Sequence, residues 1–425
     1  MKPTPVNRRG FLRSVGAAAS GAALSQFPLP ALAKTKTIKL GLVQPVTGPL
    51  AIFAEPTQFV IDAVRAQIGD SVMIQGTKHP VEIILKDSQS NSNRASSVAQ
   101  ELILNDEVDM LLATSTPDTT NPVADQAELN GVPCISNDTP WQPHFFGRQG
   151  DPAKGFDYTF HYFWGLEDVI GTFMSQWDQV ATNKVVGALW PNDPDGNAWG
   201  DPAVGFPKPM ADKGYSLVDT GRFQSMTDDF SAQISAFKAA GVEIVTGVVI
   251  PPDFTTFLSQ SAQQGFAPKV INVAKASEFP QAMAALGPRA DGLSVEVWWS
   301  PHHPFNSSLT GQSSADLASA YEAETGNLWT MPLGFKHSLF EVALDALSRT
   351  EDPTDPDSIA AAIRATNLNT ITGALNFGAG PVPNIAKTPL VGGQWSVRDG
   401  KPVLDIVDNT NAPDIPLSAQ MRPIG

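Results

Sequence analysis

The sequence predicts an α/β fold built from two doubly wound, parallel-sheet units, and three observations carry that expectation. The chain has 425 residues, 42% of them hydrophobic, which suffices for two or three domains with sizeable cores. Short β-branched, apolar runs alternate with longer segments whose apolar residues recur at helical spacing. That alternation begins after Lys34, pauses after Ser136 and starts again near Leu166. A βαβα order places strands in a parallel sheet with helices on both faces. Two runs of it predict two units of similar size.

In the first unit, "IKLGLVQPV" (38–46) reads as a strand closed by Gly-Pro. "TQFVIDAVRAQIG" (57–69) is a helix, "VEIILKD" (81–87) a strand and "RASSVAQELILND" (94–106) a helix. "VDMLLAT" (108–114) is a strand, "NPVADQAELNG" (121–131) a helix with a Gly stop, and "VPCIS" (132–136) a short strand. In the second unit, helix "LEDVIGTFMSQWDQV" leads to strand "KVVGALW". "VGFPKPMADKG" is a poor, proline-interrupted helix, followed by strand "YSLVDTGRF". "DDFSAQISAFKAAG" is a helix with acids at its positive dipole end. "VEIVTGVVI", "PDFTTFLSQSAQQG", "KVINVA" and "DGLSVEVWW" then read as strand, helix, strand and strand. Past Trp299 come three helical segments and a Gly/Pro-rich, β-like tail.

The N-terminus has a different character. "NRRGFLR" (7–13) precedes a small-residue apolar stretch and the Ala31-Leu32-Ala33 cleavage pattern. Paired arginines, a short apolar region and a small-residue site resemble a twin-arginine export signal. The expected mature protein starts after Ala33 and works in the periplasm. The formal net charge is −15, which argues against nucleic acid, whose phosphates need a basic stripe. No interior apolar run reaches the roughly 18 residues of a membrane helix. Cys134 is the sole cysteine, so no intrachain disulfide can form. In "GVPCIS" it reads as a small buried hydrophobe.

Ligands of doubly wound sheets sit beyond the carboxyl ends of the strands, so binding residues are expected there. "WPNDPDGNAWGDP" (190–202) crowds acids between two tryptophans. Its Gly comes one pair too early for a calcium loop and no Glu follows. Asp193 and Asp201 could act as a carboxylate pair, but spacing along a turn defines no separation across a substrate. The adjacent His302 and His303 cannot readily chelate one ion, and His144, His161 and His337 are scattered. Neither a nucleotide-binding glycine motif nor a nucleophile elbow occurs. No cofactor and no metal is expected. "ATSTPDTTNP" (113–122) supplies hydroxyls and free N–H groups before a helix, which suits an anion. Phe53, Trp141, Trp164, Trp199, Trp298 and Trp299 all fall near strand ends. Trp141 and Trp199 lie in polar loops, where a pocket between lobes suits an indole.

Four spaced segments carry a family resemblance: "LGLVQPVTGPLAIFAE", "TSTPDTTNPVADQAELNGVPCIS", "DDFSAQISAFKAAGVEIV" and "TGALNF" (372–377). They resemble the extracytoplasmic solute-binding proteins of branched-chain amino-acid type ABC transporters, the leucine/isoleucine/valine-binding protein family. The resemblance implies a type I periplasmic-binding fold, two lobes joined by three crossover strands with ligand in the cleft. It places the crossovers near Gly165, Trp299 and Thr372. The N-terminal lobe is then 34–165 plus 300–372, and the C-terminal lobe 166–299 plus 373–425.

The resemblance also implies site residues. Phe53 matches the aromatic beside the ligand side chain. Ser115 and Thr116 fall where a serine binds the ligand carboxylate. Asp138 and Thr139 match the contact after the next strand. Trp199 stands for the tyrosine of a "YG" pair, with Asn197 as a polar neighbour. Lys275 falls where the family has the acid that grips an ammonium, so it would attract a carboxylate instead. The expected ligand is a small polar or aromatic solute, a carboxylate or amino-acid-like molecule, stacked between Trp141 and Trp199. The implied partners are that small molecule and the permease subunits of an ABC importer; the protein is expected to be a monomer and not an enzyme. The alternatives are an exported hydrolase using Asp193 or Asp201, or a ligand sensor with the same fold.

Overall fold

The computed structural model describes residues 35–425, so the expected export signal lies outside the described residues. The first lobe opens with strand β1 (Ile38–Gln44), the short helix α1 (Ala51–Ala54) and helix α2 (Thr57–Ile68). A hairpin of β2 (Ser71–Ile74) and β3 (Thr77–Asp87) follows, then α3 (Ser92–Leu104) and β4 (Met110–Thr114). Next come α4 (Pro117–Asn130), β5 (Cys134–Asn137), α5 (Trp141–Phe145) and β6 (Thr159–Tyr162). The strands β3, β1, β4, β5 and β6 run parallel in that order, with β2 antiparallel on one edge. β4 and β5 are buried along their whole length, as expected for a sheet covered on both faces.

The chain then passes to the second lobe through Phe163 to Gly165. This lobe contains α6 (Leu166–Asp178), β7 (Val185–Pro191), α7 (Pro194–Trp199), α8 (Pro207–Asp212) and β8 (Ser216–Phe223). It continues with α9 (Ser231–Ala240), β9 (Ile244–Val249), α10 (Pro251–Gln263), β10 (Val270–Lys275), α11 (Pro280–Leu286) and β11 (Ser294–Val297). Its parallel strands lie in the order β8, β7, β9, β10, β11. Each sheet reverses its winding once, between β1 and β4 and between β7 and β9. Loops open at such a switch point and leave a crevice beyond the strand ends.

After Trp298 and Trp299 the chain returns to the first lobe as α12 (Ser314–Thr325), α13 (Met331–Arg349) and α14 (Pro356–Arg364). The α13 face is almost wholly buried, and Asn137 Nδ2 donates to its Phe335 carbonyl (3.0 Å), tying it to β5. A hairpin, β12 (Asn367–Thr370) with β13 (Gly373–Asn376), precedes β14 (Ile385–Ala386), which pairs with β6. Only then do β15 (Val391–Arg398) and β16 (Lys401–Asp408) add antiparallel strands to the second sheet beside β11. The third passage between lobes therefore spans Lys387 to Leu390, later than the expected position at Thr372. The reason is β14: a two-residue strand is too short to read from sequence, yet its pairing keeps residues 373–386 in the first lobe.

The return passage is packed without slack. Trp299 is fully buried, and a Cβ added at Gly334 of α13 would lie 2.4 Å from its indole. Gly334→Ala should therefore force α13 away from the crossover and destabilise the protein by about 1–3 kcal/mol. Urea denaturation should show a lower midpoint at unchanged slope; an unchanged midpoint would contradict this packing.

Candidate functional site

The carboxyl ends of both sheets face one another across a cleft. Its walls are Phe53, Thr116, Asp138, Pro140, Phe163 and Trp164 from the first lobe and its crossover, and Asp195, Trp199, Val248, Ala274, Lys275, Glu278, Glu296 and Trp298 from the second. The mouth is closed by Leu50 and Phe53 of one lobe against Ile250 and Phe279 of the other. Phe53 and Phe279 meet edge to face, with ring centroids 4.9 Å apart.

Two charged residues occupy matching strand ends. Asp138 follows β5 and Lys275 ends β10, and both are non-glycine residues in the left-handed region, at φ 61° and 62°. That conformation costs about 1–2 kcal/mol per residue and is held where surroundings over-determine it. Here buried ion pairs do so. Lys275 Nζ lies 2.7 Å from Asp195 Oδ2 and 3.5 Å from Asp193 Oδ2. Burial opposes its charge, but the two aspartates outweigh burial and hold the ammonium above the usual lysine range. Asp138 Oδ2 accepts from Thr114 Oγ1 (2.6 Å) and lies 3.4 Å from the buried Nζ of Lys336 on α13. Burial raises the Asp138 carboxyl and lowers the Lys336 ammonium.

The loop 190–202 supplies one half of this arrangement. Asp193 caps α7 by accepting from the Gly196 N–H (2.7 Å). A Cβ at Gly196 would sit 2.0 Å from the Pro191 carbonyl, so only glycine lets the chain turn that tightly. The turn aims Asp195 inward at Lys275, while Asp201 caps the next turn through Ala203 and Val204 N–H groups. Asp193 and Asp201 thus do not face a common substrate position. Trp199 lines the cleft by one edge. Its body is fully buried, stacked on Phe206 at 5.2 Å and against Trp190 and Phe173.

Behind Lys275 sits a pair of buried glutamates. The Lys275 N–H donates to Glu278 Oε1 (2.9 Å), and Glu278 faces Glu296 of β11. Burial pushes Glu278 up to about 7. Burial, then the neighbouring Glu278, drives Glu296 well above the usual carboxylate range.

Of the residues expected from sequence, Phe53, Thr116, Asp138, Trp199 and Lys275 line this one cleft. Ser115 is buried beside Thr116, and Thr139 donates to the Ser115 carbonyl (3.0 Å), tying the two loops together behind the wall. Asn197 is exposed and accepts from Arg222 outside the cleft. Trp141 is the main correction. It opens α5, which turns it onto Phe145 and Ile385 of β14, and its Nε1 donates to Glu167 (3.2 Å). Trp164 and Trp298, on the crossovers, supply the aromatic walls instead. Lys275 is also corrected: its charge is already taken by two aspartates of its own lobe. The anion-binding loop differs too, because α4 starts at Pro117 with Thr116 at its N-cap and Asp118 in its first turn, not at Asn121.

Sequence reasoning missed Phe163, Glu278, Glu296 and Lys336. Signals existed for two of them. Glu296 interrupts the apolar strand "SVEVWW", and Lys336 interrupts the apolar helix "GFKHSLFEVALDAL"; a charge in such a place is rarely buried without a partner.

Two outcomes follow from these pairs. Lys275→Met leaves Asp195 buried without its cation and should cost about 3–5 kcal/mol; adding Asp195→Asn should recover most of that loss in a denaturant titration. Glu278 carries a raised folded-state pKa, so its stabilising share is present below about 4.5 and is lost as pH rises through about 7. Glu278→Gln should therefore match the parent at pH 4 and exceed its stability by about 1–3 kcal/mol at pH 8. An equal gap at both pH values would refute the raised carboxyl.

Comparisons with known proteins agree with this architecture. A family model described as periplasmic binding protein matches residues 37–398. A leucine-, isoleucine-, valine-, threonine- and alanine-binding protein of Pseudomonas aeruginosa is 23% identical over 342 residues, 80% of this chain and 86% of that protein. The crystal structure of a leucine-binding protein from Thermotoga maritima superposes with a TM-score of 0.69 at 20% identity, covering 88% of this chain and 99% of that one. An ABC-transporter solute-binding protein from R. palustris in complex with 4-hydroxybenzoate gives a TM-score of 0.74 at 17% identity, covering 89% and 98%. With a family model spanning both lobes and the crossovers between them, the chain belongs to the periplasmic binding protein family, and its fold is the type I form of the solved leucine-binding protein.

Proposed function

We propose that this protein captures a small solute between its two lobes and delivers it to the permease of an ABC importer. The observation that carries the reading is the cleft itself. Buried polar atoms of Thr116 and Asp138 in one lobe, and of Asp195 and Trp199 in the other, have no protein partner and meet at one aromatic-walled space. Buried polar groups are normally hydrogen-bonded, and a solute that bridges both lobes would satisfy them together. Such a ligand binds the closed arrangement better than an open one and so shifts the population toward closure. The named ligands of relatives, leucine, isoleucine, valine, threonine and alanine in one and 4-hydroxybenzoate in another, support a small molecule with a polar end. A fold that recognises solute by lobe closure without bond-making supports binding, not catalysis, as the activity.

The reading predicts that native mass spectrometry of gently purified protein releases a small molecule. Adding that molecule to stripped protein should contract it in small-angle X-ray scattering. At 100 times its dissociation constant it should stabilise the fold by about 2.7 kcal/mol. Chemical conversion of the molecule beyond a heat-killed control, or no contraction with it, would sink the proposal.

A further inference from the structure

We infer that the cleft is built for a small organic cation, an ammonium or amidinium on an apolar or aromatic body, and that it rejects carboxylates. This deepens the solute-binding reading above and rests on it. Four carboxyl groups line the cleft, Asp138, Asp195, Glu278 and Glu296, against one ammonium, Lys275. Among the described residues lining it there is no arginine and no histidine. Lys275 is bridged to Asp195, and Lys336, behind the wall, is bridged to Asp138. Lys275 is thus taken up by Asp195 and Asp193, and Lys336 by Asp138. The glutamate pair is left with no cation of its own.

The groups facing that pair sharpen the imbalance. Glu278 is faced by Lys275, already bridged, and by Asp138; Glu296 is faced by Glu278 and by Asp195. Asp138 Oδ1 and Asp195 Oδ1, both on residues at least nine-tenths buried, have no protein partner. An incoming cation would meet aspartate oxygens that lack donors and a glutamate pair whose protons it could replace.

The walls suit the same guest. Trp164 and Trp298 line the cleft with Phe53 and Phe163. Aromatic faces attract cations through the ring quadrupole, tryptophan most strongly, and desolvation strengthens the attraction.

A carboxylate could accept from the unpartnered indole N–H groups of Trp164, Trp199 and Trp298, but both nearby lysines are already bridged and leave it no cation. The helix end that could hold it, at Thr116, carries Asp118 in its first turn. Burial pushes Asp118 up to about 6, and Asp193 and Asp195 across the mouth add to the push while Lys275 resists it. A second anion there would enter a site already short of positive charge.

Proton linkage distinguishes the two classes. Burial pushes the Glu278 carboxyl up to about 7, so a cation beside it competes with its proton and should bind more tightly as pH rises from 6 to 8. A carboxylate would show the opposite slope.

The test uses two matched trios in titration calorimetry of the stripped, full-length mature protein at pH 6 and pH 8. The first is isoamylamine, leucine and 4-methylpentanoate; the second is phenethylamine, phenylalanine and 3-phenylpropanoate. Each holds the body constant and varies only the charge. The amine of at least one trio should bind at least tenfold tighter than its zwitterion and its carboxylate, with affinity rising toward pH 8. Glu278→Gln, which keeps shape and removes the carboxyl pushed up to about 7, should weaken amine binding at least tenfold at pH 8 and flatten the pH slope, with its folding checked by circular dichroism. Should that variant misfold, the sign of the pH slope in the parent decides the matter. Tightest binding by a carboxylate or an amino acid, a falling slope, or no binding by any of the six overturns the inference. Binding of leucine or 3-phenylpropanoate with contraction would leave the solute-binding reading standing; failure of every probe and of the natively released molecule to contract the protein would remove both.

Discussion

Charge buried at the edges of two facing sheets is the constraint on which the rest of the site depends. A charge removed from water must be paired and hydrogen-bonded or it drives the fold apart. Lys275 ends a strand and Asp138 follows one, both at positive φ, a conformation that aspartate tolerates and lysine rarely adopts. Their partners make that tolerable. Asp195 and Asp193 hold Lys275, and Thr114 with Lys336 holds Asp138. Asp195 comes from α7 and Lys336 from α13, so the ion pairs also fix how a loop and a returning helix dock on each sheet.

The aromatic residues build on that frame. Trp190, Trp199, Phe206 and Phe173 form a block beneath α7 that stiffens one wall of the cleft. Phe163, Trp298 and Phe335 interlock where two crossovers pass α13. The mouth, by contrast, is sealed by the small apolar group Leu50, Phe53, Ile250 and Phe279. An aromatic block, an interlocked crossover region and a small apolar group at the mouth together frame the cleft. Lys387 of the third passage, bridged to Glu167 and Asp168 at the start of α6, ties two crossovers together.

Much of the fold was legible in the sequence because its signals are local. Buried parallel strands such as "VEIVTGVVI" are continuous apolar runs, and helices such as 57–68 end at a glycine that adopts the left-handed cap. Short elements were not legible. β14 has two residues and α5 opens within a proline-rich stretch, so neither shows a period. Their pairing nonetheless moved the third crossover and carried Trp141 out of the cleft.

The site divides in the same way. Residue type and chain order determined that strand ends at Phe53, Thr116, Asp138, Trp199 and Lys275 would approach one another, since a doubly wound sheet gathers its βα loops at one edge. Only the tertiary structure decided what those residues could do there. Whether Lys275 presents a free charge depends on Asp195, eighty residues away in the chain. Whether Glu296 is exposed or buried depends on which strands flank β11. Charge state, pairing and burial are properties of neighbours in space, and a sequence records neighbours only along the chain.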